Sequence, residues 1–226
     1  MSGREEIISI LKSKSVLKQD IFCVTKVAFE LLKKVLKEEI DLLKKEIGDD
    51  DKIRLNYKDK GQSEIQLFIG SDVVIFHQHT NVFKFDETNS VWKTSYLKND
   101  PNLGFCGIIN VYNFLADSYL YNRMNDLGYL IGRIFINKEN HFIVEGKGQL
   151  GFLYRDFMHS QFLEDQVREI VQKVIAYSLN FDLFTPPYDK INEVSVYELQ
   201  QISSSSKLKT GKRLGFAFEN RMKEIK

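Results

Sequence analysis

Cysteine is nearly absent: two residues in 226, Cys23 within a helical pattern and Cys106 at the start of an apolar run. Two thiols with no paired spacing exclude a disulfide framework and are expected of free cysteines in a reducing compartment. Long apolar runs are missing too. No stretch approaches the roughly 18 apolar residues of a membrane helix. The N-terminus, MSGREEIISILKSK, is charged at once where a secretory leader would be apolar. These absences predict a cytoplasmic, soluble chain without a membrane partner. An excess of one charge is also lacking, since 32 Lys and Arg against 31 Asp and Glu leave a net +1, which gives no global attraction to nucleic acid or anionic lipid. Missing as well are a GxGxxG after a strand, a GxSxG elbow and a CxxC or HExxH spacing, so the familiar cofactor, nucleophile and metal signatures are excluded.

What is present is ordinary globular composition, 43% hydrophobic and 28% charged, in a length that buries a good core as one domain. Lys, Asn, Ile, Phe and Tyr are plentiful and Pro scarce, as A- and T-rich codons would give. The 12% aromatic content therefore does not by itself mark a stacking surface. The net charge hides one asymmetry: residues 207–226 hold seven Lys or Arg against two Glu.

The pattern predicts an α+β fold in which a mostly antiparallel sheet packs against a long N-terminal helix and a second helix near 162–180. Ser2-Gly3-Arg4-Glu5 is a capping box opening a short helix to about Lys12. A new start at Ser15 leads to about Ile47, with Leu17, Ile21, Val24, Ala28, Leu31, Val35 and Leu42 at three- and four-residue steps. A strand meander is expected at 53–57, 64–69, 72–79, 82–85, 91–97 and 106–113, with turns at Lys58–Gly61 and Gly70–Asp72 and a loop at 98–104. Helices are expected at 150–158 and 162–180. The domain reading is 1–202 as one α+β unit and 203–226 as a basic C-terminal segment. There Leu214, Phe216 and Phe218 alternate as an added edge strand would.

Between them lies the stretch Asp126–Lys147, DLGYLIGRIFINKENHFIVEGK, two apolar strands joined by a polar turn. A two-residue loop at Lys138-Glu139 would set Val144 opposite Arg133. A three-residue loop, 138–140, pairs 137 with 141 and sets Arg133 across from Glu145. It gathers Leu130, Ile134, Ile136, Phe142 and Val144 on one face, and Tyr129, Arg133, His141, Glu145 and Lys147 on the other. The second register is preferred, because burying a clean apolar face is favourable and burying Glu145 unpaired is costly. Asn140 suits the left-handed residue that ends such a loop.

Three chemical signals remain. Glu145-Gly146-Lys147 closes an apolar strand and resembles the ExK half of the D…ExK pattern of the PD-(D/E)XK nuclease superfamily. The resemblance spans residues 15–197. It implies a carboxylate at Glu145 holding Mg²⁺ beside a second acid, with Lys147 positioning the attacking water. The chain departs from the pattern where the first acid should face Glu145. Arg133 stands there, and Asp126 is the nearest upstream acid. His77-Gln78-His79 puts two imidazoles on one side of a strand, as metal ligands would be, with His141 or Glu145 completing the set only if their strand were adjacent. The basic tail, with Lys207, Lys209, Lys212 and Arg213, would suit a polyanion such as nucleic acid. Since none of the three is a full catalytic set, the leading expectation is a binding or interaction module. It would take a protein partner or a small ligand on the sheet face and need no cofactor. The metal-dependent nuclease is the alternative, and nucleic-acid binding through the tail is third.

Overall fold

A computed structural model describes residues 3–48, 50–122, 124, 126–181, 188, 193 and 195–197. The predicted cap at Ser2, Pro186-Pro187 and the whole segment 203–226 lie outside them.

The N-terminus is one helical rod. Helix α1 (Gly3–Ile10) runs through a wide π turn at Leu11–Ser15 into α2 (Val16–Ile47). The expected break between Lys12 and Ser15 is therefore a widened turn and not a stop. The Ser13 hydroxyl donates to the Ser9 carbonyl at 2.8 Å and leaves the chain helical. Gly48, at φ 75°, ends the rod with its N–H on the Lys44 carbonyl. Ile21, Ala28, Phe29, Leu32, Val35, Leu36 and Ile40 form the buried stripe of α2, whereas Leu42, assigned to it from the spacing, is exposed.

The strands are β1 (Leu55–Asp59), β2 (Glu64–Ile69), β3 (Asp72–Gln78), β4 (Phe83–Lys84), β5 (Phe105–Leu115), β6 (Tyr129–Ile136) and β7 (Phe142–Gly146). They form a seven-stranded sheet in the order β1-β2-β3-β5-β6-β7, with the short β4 beside β5 and every pairing antiparallel. One face carries Ile65, Leu67, Val74, Phe76, Ile109, Val111, Ile134, Ile136, Phe142 and Val144 into the main core. Helices α2 and α5 (Glu164–Leu179) cover that face, the latter through Val167, Ile170, Val171 and Val174. The predicted α+β architecture, its antiparallel sheet and its two covering helices are all present.

Three local expectations are corrected. Residues 91–97 are not a strand but part of three short helical turns, Ser90–Lys93, α3 (Ser95–Asn99) and Pro101–Gly104. Asn89, Thr94 and Asp100 each cap one with a side-chain oxygen, and local capping outcompetes the β-propensity of Val91, Trp92 and Tyr96. The expected helix at 150–158 is a single 3-10 turn at Gly148–Phe152 followed by irregular chain, with Gly148 and Tyr154 both at positive φ. In the hairpin, the three-residue loop is present. Ile136 pairs with Phe142 and Arg133 with Glu145, and Asn140 sits at φ 60°. A register shift at Val111/Tyr112, however, sets Gly132 and Leu130 against successive residues of β5, leaving Ile131 as the extra residue. Crossing it reverses the alternation. Tyr129 therefore joins the main core and Leu130 is left exposed, the opposite of their expected faces.

The rod lies close against the sheet at Gly107. A Cβ there would stand 2.0 Å from Oγ1 of Thr25 and 2.8 Å from its Cβ. Thr25 is buried, stiff at χ1, and already donates to the Ile21 carbonyl at 2.8 Å. Gly107→Ala is expected to cost about 2 kcal/mol by forcing α2 off the sheet. Chemical denaturation checks this, and Thr25→Gly in the same chain should recover part of the loss.

Candidate functional site

The other face of the sheet carries a feature that emerges only when four successive registers are joined. Glu64 pairs with His77, His77 with Asn110, Asn110 with Arg133 and Arg133 with Glu145. One polar rung thus crosses β2, β3, β5, β6 and β7 in a straight line about 19 Å long at normal strand spacing. The rows on either side are mostly apolar. Ile108, Phe135 and Ile143 flank it on one side, and Ile75, Tyr112 and Leu130 on the other.

Each flank rises into a wall. On the first side Phe85 and Phe157 cover Cys106, Ile108 and Phe135, with Val91, Trp92 and Tyr96 packed behind. The Trp92 ring fits against Gly104 and its Nε1 donates to the Asp86 carbonyl at 2.8 Å, which pins the 83–99 segment over the sheet. On the second side Phe68, Val73, Ile75, Tyr112 and Phe114 cluster with Ala116, where α4 (Ala116–Leu120) turns over the face. The rung is the floor between these walls. At its β6–β7 end a cavity of about 540 Å³ opens, lined by Arg133, Glu145, Phe135, Ile143, Lys84 and Arg155 among others. That volume is in the range of small-ligand pockets.

The electrostatics are local. Arg133 Nε donates to Glu145 Oε2 at 2.8 Å and a second guanidinium nitrogen bonds the same oxygen, while the guanidinium also stands over the Phe135 ring. Both side chains are substantially exposed, 40% and 59%, so the pair is an open contact that a ligand can rearrange at little cost. Glu64 accepts from Gln66 Nε2 at 2.7 Å. Asp86, at the cavity rim, is held below the usual carboxylate range by hydrogen bonds from the Thr88 hydroxyl and amide. Burial pushes the Cys106 thiol up to about 12, so this lining sulfur is not a nucleophile.

The residues singled out from the sequence are distributed as follows. Glu145 lies in the rung and its carboxylate is engaged by Arg133. The ammonium of Lys147 lies 5.3 Å from the Tyr129 centroid, against a ring that packs with Phe181 on the helix-covered side. Asp126 accepts from the Ser118 hydroxyl at 2.8 Å, ahead of β6. The neighbours of the three differ: Arg133 for Glu145, the Tyr129 ring for Lys147 and Ser118 for Asp126. His77 and His79 share the open face, but β5 and β6 separate their strand from the one beside His141 and Glu145. His79 Nδ1 accepts from the Asn81 amide, and His141 Nδ1 meets the Phe157 carbonyl at 2.8 Å under a stacked Tyr96 ring. Among the described residues no group of three or more His, Cys, Asp or Glu could hold a metal ion. Lys207, Lys209, Lys212 and Arg213 lie outside the described residues. Sequence reasoning missed Glu64 and Asn110. The available signal was a polar residue breaking an apolar alternation in each strand, which means nothing until the registers are known.

The fold and the floor define an α+β domain with helices on one face of an antiparallel sheet and, on the other, a polar rung with a cavity at its β6–β7 end. Compared with protein-family models, curated proteins and solved structures, the chain matches none. Among the described residues no helix is long and apolar enough to cross a membrane.

Proposed function

We propose that this protein is a cytoplasmic binding module that takes a small, elongated ligand along the Glu64–His77–Asn110–Arg133–Glu145 rung. The observation that carries the reading is the continuity of that rung between two apolar walls. Alternating acceptors and donors along a floor, with aromatic and aliphatic flanks, suit a ligand with hydrogen-bonding groups along its length and apolar edges. Arg133 is the anchor: its fork can turn from Glu145 to a ligand acceptor, and Glu145 can then accept from a ligand donor. The two free cysteines support a reducing compartment.

A thermal-shift screen of short peptides, nucleotides, oligosaccharides and small carboxylates tests it. One class is expected to raise the melting temperature of the wild type. Arg133→Ala should abolish that rise while lowering intrinsic stability by less than about 1 kcal/mol, the ordinary worth of an exposed ion pair. A ligand that stabilises the wild type and Arg133→Ala equally would place binding elsewhere.

A further inference from the structure

The sheet ends at β7 on one side and at β1 on the other, and the two edges differ. In an antiparallel strand every second amide turns away from its partner. In β7 these include Phe142 and Val144, whose N–H groups donate to the Ser160 and Tyr154 carbonyls at 2.9 and 3.1 Å, so residues 154–160 close that edge. In β1 the phase is fixed by Gly70 N–H donating to the Arg54 carbonyl and Lys60 N–H to the Glu64 carbonyl. Asn56 and Lys58 therefore bond β2, while the amides and carbonyls of Leu55, Tyr57 and Asp59 point outward. Among the described residues these three find no backbone partner on that side.

The side chains beside the β1 edge are apolar and half-open. Leu55 and Tyr57 are only partly buried against the main core. Ile47 at the end of α2 and Ile53 ahead of β1 are 42% and 47% exposed. Ile47, Ile53 and Leu55 line a cavity of about 590 Å³. A strand added here with apolar residues on the α2 side would satisfy the open backbone and fill that space.

We propose that residues 212–218 of the same chain, which lie outside the described residues, add to the sheet as a further strand antiparallel to β1. The sequence of the segment matches the edge. Leu214, Phe216 and Phe218 alternate with the small Gly215 and Ala217, which gives one apolar and one slender side. The path of the chain matches it too. A Cβ at Gly70 would lie 3.7 Å from Leu179 Cδ2, so α5 ends at the β2–β3 turn, where Gly70 is bonded to Arg54 just ahead of β1. Residues 182–226 follow, and a segment tethered so near meets the edge at an effective concentration on the order of millimolar. The fitting register sets Phe216 opposite Leu55, Leu214 opposite Tyr57 and Lys212 opposite Asp59, and carries Phe218 toward Ile53 and the cavity. Asp59 already draws Lys33, at 3.2 Å, on that side. Arg213 then neighbours Lys58 on the solvent side, an unfavourable but screened pair. A second copy's β1 fits less well, because a two-fold at Tyr57 would oppose Leu55 to Asp59.

Amide hydrogen exchange on the full chain tests this without any ligand. Leu55, Tyr57 and Asp59 are expected to exchange slowly, and roughly tenfold or more faster in full-length Phe216→Glu/Phe218→Glu. Asn56 and Lys58, held by β2, should be unchanged in that variant and so report an intact sheet. In a Cys23→Ser background, Asn56→Cys/Gly215→Cys should form a disulfide within one chain on mild oxidation, since the register makes them a non-hydrogen-bonded pair with Cα atoms about 4.5 Å apart. Asn56→Cys/Leu214→Cys, on opposite sides of the sheet, should not. Fast exchange of the three outward amides in the wild type, or slow exchange that survives the glutamates, overturns the proposal. A disulfide that joins two chains assigns the edge to a neighbouring copy and overturns it equally.

Discussion

Val144→Asp is expected to bring the protein to the edge of unfolding at neutral pH. Val144 is 6% exposed in the middle of β7, facing the main core beside Ile134 and Phe142. A carboxylate placed there finds no partner and protonates instead of remaining charged, which lifts its pKa by several units and costs about 4–6 kcal/mol with the lost packing. That is comparable to the whole stability of an ordinary domain. The sign follows from linkage. A carboxyl whose folded pKa is raised above its unfolded value penalises folding where the unfolded form is ionised, so the deficit against wild type shrinks as pH falls toward about 4. Urea midpoints at pH 7 and pH 5 measure both effects, with Val144→Ala as a packing control expected to lose about 2 kcal/mol. Near-wild-type stability of Val144→Asp at pH 7 would contradict the hairpin register itself, because only the alternative two-residue loop places position 144 beside Arg133.

Arg168→Ala should be nearly as damaging, for a different reason. The Arg168 guanidinium donates to Glu39 at 2.6 Å, Glu38 at 2.8 Å and Glu164 at 3.0 Å, clamping α5 to α2. The three carboxylates raise its pKa, Glu39 most, and Glu164 is in turn held low by Lys34 and then by Arg168. Glu39 is the critical partner because its side chain is only 8% exposed. Gln172 Nε2 also donates to it, at 2.9 Å, but cannot neutralise it. Removing the guanidinium leaves a buried charge uncompensated, worth about 3 kcal/mol or more. Replacing both partners with leucine, Glu39→Leu/Arg168→Leu, should restore most of the stability, since neither desolvated charge remains. Equal losses in the single and double variants would show that the clamp acts through packing and not through charge.

The contrast between those two sites tracks what the sequence made legible. The 138–140 hairpin is local: its apolar alternation, its Asn140 and its polar turn lie within about twenty residues, so its register follows from side-chain chemistry. The Arg168 clamp reaches Glu38 and Glu39 about 130 positions away, and that part of it has no local signature. The rung has the same character. Glu64 and His77 are linked by the two-residue Gly70-Ser71 turn and are readable together. His77 and Asn110 are separated by β4 and three capped turns, whose length hides the register of β3 on β5. The shift at Val111/Tyr112 then hides which side of β6 faces the groove at Leu130. Glu145 was legible together with its neighbour, because the preferred hairpin register sets Arg133 across from it, and the structure pairs the two and joins their side chains.

The open face of the sheet is the proposed binding surface, and a nitrogen–proton correlation NMR titration of the full chain tests it directly. With a ligand from the screen added stepwise, the expected perturbations cluster on the amides of Glu64, His77, Asn110, Arg133 and Glu145 and on their neighbours Ile108, Phe135 and Ile143. The same ligand should leave the spectrum of Asn110→Leu unchanged, since that variant removes the middle of the rung while keeping the sheet. Perturbations confined to α2 or α5, or a response of Asn110→Leu equal to that of the wild type, would contradict the account.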